Sequence, residues 1–201
     1  MRTSIIITTL LFFFQVYAQK CVHSNLSKEY DFKTSLIRET KNNELSNECE
    51  VVINIINKTT KTGQIIKFHS DWMLNGDYKD CKTVRSYTTK FNHKAVAQDN
   101  DFGDLIIADF NFDEKDDIAI KAESGGNGGP LYKFYLQENN KNFVEDKYLS
   151  NIVTFFPVDI NAKSKTLKTK VYANAYEQQE TIYKANKING NWKIISQRLI
   201  K

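Results

Sequence analysis

Proline is nearly missing from this 201-residue chain: only Pro130 and Pro157 occur. Pro130 closes a short glycine cluster and Pro157 follows Phe155-Phe156; neither is flanked by a Ser/Gly linker, so nothing marks a boundary between domains. Glycine is also sparse, and four of the eight fall together at Gly125, Gly126, Gly128 and Gly129. The three cysteines, Cys21, Cys49 and Cys81, are too few for a disulfide-stapled framework; being odd in number, they allow at most one internal bridge and leave one thiol over. No stretch reaches the roughly twenty apolar residues that a membrane-spanning helix needs. His23, His69 and His93 are widely separated, and there is no H-E-x-x-H pattern, no paired Cys/His set and no G-x-S-x-G elbow, which removes the common zinc-hydrolase and serine-hydrolase arrangements. No period of 20 to 50 residues repeats, so a propeller of regular blades has no support.

What is present begins at the N-terminus. Arg2, the ten-residue apolar run Ile5 to Phe14 and the small-residue positions around Val16-Tyr17-Ala18 have the form of an export signal over residues 1–18. The mature chain is expected to start at Gln19 and to be periplasmic or secreted, with no transmembrane segment. Lys20 directly before Cys21 departs from the small-residue box of a lipid-anchored protein. Residues 19–48 are polar and weakly patterned, which suggests a loosely ordered lead-in with one edge strand near Tyr30 to Ile37. Residues 49–201 read as a single β domain. Val51 to Ile56 and Gln64 to Phe68 form a hairpin around a turn at 58–63, Trp72 to Leu74 suggests a short strand, and Thr83 to Phe91 a longer one. Tyr132, Phe134 and Leu136 alternate with Lys133 and Tyr135, the period of a half-buried strand. Further strands are expected near Ile152 to Val158, Thr166 to Ala173, Gln179 to Ile188 and Trp192 to Leu199, with Asn189-Gly190 as a tight type I′ turn. The fold class is all-β: an antiparallel, hairpin-rich sandwich or curled meander, with a degenerate propeller as the alternative. Cys49 and Cys81 each open an apolar run and make the preferred pair among three possible pairings.

Charge is unevenly placed. Residues 99–117 hold eight acids against Lys115 alone, a local balance of −7, whereas the rest of the mature chain has 26 bases and 16 acids, or +10. Such crowding of like charge is costly unless solvent, bases or a bound ion offsets it. Within the window, Asp109, Asn111, Asp113 and Asp117 form D-x-N-x-D-x-x-x-D. Side-chain oxygens then stand at loop positions 1, 3, 5 and 9, and the carbonyl of Lys115 at position 7 completes a set suited to Ca²⁺. An EF-hand would need an acid at position 12, where Ile120 stands, and helices on both sides, where the flanks are extended. The basic remainder is compatible with an anionic partner such as a cell-wall polymer, or with a solvated surface. Export and scattered rather than striped bases argue against nucleic acid.

The motif resembles the strand-loop-strand calcium hairpin of FG-GAP and integrin-type repeats, with one departure: Glu114 replaces the family glycine at position 6. The larger block "DNDFGDLIIADFNFDEKDDIAI" through "GGNGGPLYKFYL" resembles a family of small exported bacterial proteins that pair one such loop with a GNGGP turn. Some relatives are thought to be immunity or inhibitor proteins against cell-wall hydrolases, which implies that role as an expectation. Gly125, Gly126, Asn127, Gly128, Gly129 and Pro130, with Tyr132 beside them, are then the candidate contact for a protein partner. Catalysis is not expected. An envelope module binding glycan or matrix is the alternative, and a hydrolase the second alternative.

Overall fold

The computed structural model describes residues 17–41, 44–90, 97, 99–186 and 192–201. Among the described residues the fold is all-β, with thirteen strands in three sheets, none closed into a barrel. In the first sheet β1 (Tyr17–His23), β2 (Tyr30–Lys41), β3 (Glu44–Asn57) and β4 (Gly63–Ser70) run in sequence order and all pair antiparallel. The middle sheet comprises β5 (Val84–Ser86), β6 (Leu105–Ala108), β7 (Asp117–Gly126), β8 (Gly129–Gln137) and β9 (Phe143–Glu145); only β5–β6 is parallel. A short helical turn, Leu149–Val153, leads to the third sheet of β10 (Asp159–Asn161), β11 (Thr166–Tyr172), β12 (Gln178–Ala185) and β13 (Trp192–Ile200).

The middle sheet is apolar on both faces, and that property orders the molecule. Leu105, Ile107, Ile118, Ile120 and Tyr135 face one core shared with Phe32, Leu36, Val51, Ile53 and Ile55 of the first sheet. The alternate residues Ile106, Ala108, Ala119 and Phe134 face a second core shared with Leu167, Tyr183 and Trp192 of the third. A period of two places successive side chains on opposite faces, so a strand buried on both sides reads as a continuous apolar run, as "LIIA" does.

Several expectations change. Residues 19–48 are not a loose lead-in: they supply β1, β2 and the start of β3, and β2 is interior to the first sheet rather than an edge. Tyr30, Phe32, Thr34, Leu36 and Arg38 of β2 are all buried; Thr34 and Arg38 within that inward row hide its alternation. The Trp72–Leu74 and Ile152–Val158 segments are not strands, and of the described residues in the 83–91 region, 83–90, Val84–Ser86 form one. The hairpin β3–β4 and the strands flanking the acidic loop stand as read from the sequence. The turn at Asn189-Gly190 and the first sixteen residues of the proposed signal lie outside the described residues. Cleavage after Ala18 would trim two residue pairs from β1–β2.

The bridge between Cys49 and Cys81 is also corrected: Cys21 pairs with Cys81, and Cys49 is free and buried. Cys21 lies on β1 with its Cα 5.4 Å from that of Cys81, inside the span a disulfide requires. Cys49 instead lies on β3 between Arg38 and Ser70 and turns into the first core. Burial pushes its thiol pKa up.

Candidate metal loop and partner surface

The loop between β6 and β7 divides its side chains by parity. Positions 2 and 4 are Phe110 and Phe112, both buried in the second core; Phe110 meets Phe134 edge-on with ring centroids 5.2 Å apart. Positions 1, 3 and 5 are thereby turned the other way. Asp109 accepts the Asp113 N–H at 3.0 Å and the Glu114 N–H at 2.9 Å, and Asn111 Oδ1 accepts the Asp113 N–H at 3.1 Å. Asp113 accepts the Lys115 N–H at 3.1 Å and, through its other oxygen, the Lys115 ammonium at 2.9 Å. That ammonium also donates to Asn139 Oδ1 at 3.0 Å. Each oxygen-bearing residue of the motif thus folds onto the loop that carries it.

Asp117 anchors the loop from below. Its carboxylate is fully buried and accepts three backbone N–H groups, from Phe110 (2.9 Å), Asn111 (3.3 Å) and Gln137 (2.9 Å). Burial pushes its pKa up to about 8, against the opposing pull of those donors. Burial also raises the pKa of Asp109. Glu114, at the sixth position of the loop, holds φ at 69°: the turn is left-handed there, formed by a residue that adopts it at a cost.

In kind and order, these oxygen donors fit a hard cation, and Asp117 is a buried carboxylate with no base of the described chain paired to it. Among the described residues no group of three His, Cys, Asp or Glu side chains is gathered as a metal site; in this loop the Lys115 ammonium holds one Asp113 oxygen, and an ion there would have to displace it.

Two of the window's acids serve a different cation. Lys121, 1% exposed on β7, pairs with Asp77 (2.9 Å), Asp101 (2.8 Å) and Asp104 (2.9 Å). Burial alone would lower its pKa; the three carboxylates reverse that and raise it. Part of the acidic crowding is therefore offset by a lysine from the next strand, which spacing along the chain does not reveal.

The glycine turn is a packed joint with an exposed tip. A Cβ on Gly125, whose φ is 67°, would lie 1.9 Å from Gly129 O, and one on Gly128 would lie 2.8 Å from Val171. Asn100 Nδ2 donates to Gly128 O at 2.9 Å and to Lys170 O at 2.8 Å, fastening the turn to the third sheet. Gly126 and Asn127 are exposed, Gly125 and Gly128 are intermediate, and Gly129 and Pro130 are buried. Tyr132 is no surface aromatic: it is 1% exposed and its hydroxyl donates to Gly103 O at 2.9 Å. Buried in this way, it is not a surface contact residue, contrary to the sequence expectation.

The exposed apolar residues beside this turn are Trp72 (51%) and Leu74 (49%). Ser124 fixes both, its N–H donating to Trp72 O at 2.9 Å and its Oγ accepting the Leu74 N–H at 2.7 Å. Buried Arg38 donates to Met73 O and Leu74 O, each at 2.7 Å, while Met73 itself is wholly buried. Alternation in "WML" holds the signal for this outward pair, but a strand was the expected cause rather than an anchored loop.

No family model and no curated protein matches the chain. A solved structure is similar in fold. It is described as the structure of a Xanthomonas Type IV Secretion System related protein, and the match covers 91% of this chain and 87% of that one, with a TM-score of 0.55 and 14% identity. At that identity the likeness is one of fold, over nearly the whole of both chains. No helix among the described residues is long and apolar enough to cross a membrane. As to catalytic groups, His23 is buried, His69 Nε2 stands 3.3 Å from Asp71 at the surface, and His93 lies outside the described residues.

Proposed function

We propose that the chain is an exported, calcium-binding β domain that binds a protein partner, and that it inhibits a cell-wall hydrolase. The observation that carries the binding role is the presentation of Trp72 and Leu74 on a segment pinned from both sides, next to the exposed Gly126–Asn127 tip. A tryptophan held rigid before association loses little ordering entropy on docking, and tryptophan is among the residues that dominate interface energies. The fold neighbour's connection with a secretion system supports an export-linked interaction module, and the Cys21–Cys81 bridge suits an oxidising compartment. Calcium would act structurally, with Asp109, Asn111, Asp113, the Lys115 carbonyl and Asp117 holding it. The domain is a binder rather than an enzyme.

The test is inhibition of purified muramidase, glucosaminidase and amidase activities by the mature chain in calcium buffer, with binding followed in parallel. At least one class should be inhibited stoichiometrically, and Trp72→Ala should weaken that complex about 30-fold, as loss of roughly 2 kcal/mol at a central anchor does. Absence of inhibition in all three classes, or undiminished inhibition by Trp72→Ala, contradicts the proposal.

A further inference from the structure

The third sheet carries a surplus of positive charge that the rest of the chain lacks. Residues 159–201 hold nine bases and three acids, a balance of +6, whereas residues 1–158 hold 19 bases and 21 acids, or −2. Register sorts many of these bases onto one face. Leu167, Thr169, Thr181 and Tyr183 are buried, so their neighbours Lys168 and Lys170 on β11, and Ile182 and Lys184 on β12, lie on the opposite side. Glu180 sits between Lys170 and Arg198, and Lys184 stands directly opposite Lys193.

The acids on this face are already engaged or outnumbered. Glu180 Oε1 accepts Arg198 Nε at 2.9 Å and Nη2 at 2.7 Å, and its other oxygen lies 3.8 Å from Lys170 Nζ. The Arg198 hydrogen bonds hold the Glu180 pKa below the usual carboxylate value. Asp159 is opposite Lys168 on β10. Lys184 and Lys193 are both exposed, and no acid among the described residues pairs with either. Like charges directly opposite across a ladder destabilise it, and an external anion seated between them would relieve that repulsion.

We propose that this face binds an anionic glycan polymer. Neighbouring strands lie about 4.8 Å apart and alternate residues along a strand about 6.8 Å apart, so the bases form a two-dimensional array suited to successive charges on an extended chain rather than to one small ion. Aromatic side chains favour sugar over a bare polyanion. Tyr172, 45% exposed, continues the row of Lys168 and Lys170, and Tyr176, 87% exposed, projects from the β11–β12 turn, which Asn174 Oδ1 fixes by accepting the Tyr176 and Glu177 N–H groups at 2.9 Å each. Such rings offer a flat apolar body with a polar tip. The proposal uses neither Trp72 nor Leu74, and holds whether or not the inhibitor role does.

Affinity electrophoresis of the mature chain through gels containing polygalacturonate, with neutral dextran, poly-L-aspartate and phosphatidylglycerol vesicles as comparison probes, tests the assignment. The expected result is retardation by polygalacturonate that falls with salt, and weaker retardation by each of the other three. Lys184→Glu should reduce affinity for polygalacturonate at least about tenfold without lowering the melting temperature, because the new carboxylate faces Lys193. Tyr176→Ala should weaken polygalacturonate binding and leave poly-L-aspartate binding unchanged, and Trp72→Ala should leave both intact. No retardation by polygalacturonate, equal or stronger binding to poly-L-aspartate or to vesicles, or indifference to Lys184→Glu or Tyr176→Ala overturns the proposal.

Discussion

Glu114 shows how one residue can preserve a loop while straining it. The turn at position 6 requires a left-handed backbone, and Glu114 supplies it at φ 69°, where a Cβ costs roughly 1–2 kcal/mol relative to glycine. Glu114→Gly removes that strain and adds back part of the difference as unfolded-state freedom. Urea denaturation in chelator should therefore show a gain of roughly 0.5–1 kcal/mol; a loss would mean that Glu114 makes a favourable contact that outweighs the backbone term. His23 has the opposite character. Its Nε2 is buried without a hydrogen-bond partner, and burial depresses its pKa below 6.5. Below about pH 6.5 the unfolded chain takes up a proton that the folded chain refuses, so this contribution to stability is complete above that pH and is lost as pH falls toward the folded value. Subtracting the pH–stability curve of His23→Gln from that of the native chain isolates the group. The difference should be flat above about pH 7 and should decline as pH falls below about 6.5; a difference that stays flat on falling below about pH 6.5 excludes the assignment.

At the scale of elements, what could be read depended on whether a strand's pattern was local. The β3–β4 hairpin and the strand-loop-strand around Asp109 to Asp117 each carry their evidence within about twenty residues: β-branched runs, turn residues between them, and acids at alternate positions. β1 and β2 do not, because the inward row of β2 includes Thr34 and a buried Arg38 whose guanidinium is satisfied by carbonyls of another segment. Hiding β1 also hid the disulfide, since Cys21 could be brought to Cys81 only by a strand the composition did not announce. Tyr132 is hidden for a related reason: an aromatic beside a turn suggests a contact, yet β8 is covered on both faces. The bridge has a measurable weight. Closing a separation of 60 residues restricts the unfolded chain enough to stabilise the fold by about 4 kcal/mol in the entropic account, with 2–5 kcal/mol typical of measurement. Cys21→Ser with Cys81→Ser should show a loss in that range by urea denaturation, whereas Cys49→Ala should leave the bridge intact and abolish the one thiol titratable after unfolding. A native bridge that includes Cys49 in peptide mapping would reverse the pairing.

At the scale of the whole molecule, the acidic loop is where three sheets meet. Ser27, between β1 and β2, donates to Asp116 at 2.6 Å. Asp117 begins β7 and binds Gln137 at the end of β8. On the other side, the Lys165 ammonium beside β11 donates to Phe112 O and lies over its ring, and Phe112 contacts Trp192. An ion seated in this loop would therefore bind only when both cores are assembled, because the first, middle and third sheets all contribute to its shape. Mass action then stabilises the native molecule as one unit: calcium at about 100 times its dissociation constant adds about 2.7 kcal/mol. For a chain of this size that corresponds to a rise of roughly 5–10 °C in melting temperature. Calorimetric scans of the mature chain with excess Ca²⁺ and with chelator should show one transition displaced by that amount. In Asp113→Ala the displacement should shrink to near zero while the chelator scan stays nearly in place, since Asp113 is at the surface of the loop and Asp117 at its buried root. Superimposed native scans with and without calcium would remove the ion from the molecule's account, and a split transition in which only part of the heat moves with calcium would confine the loop's influence to one core.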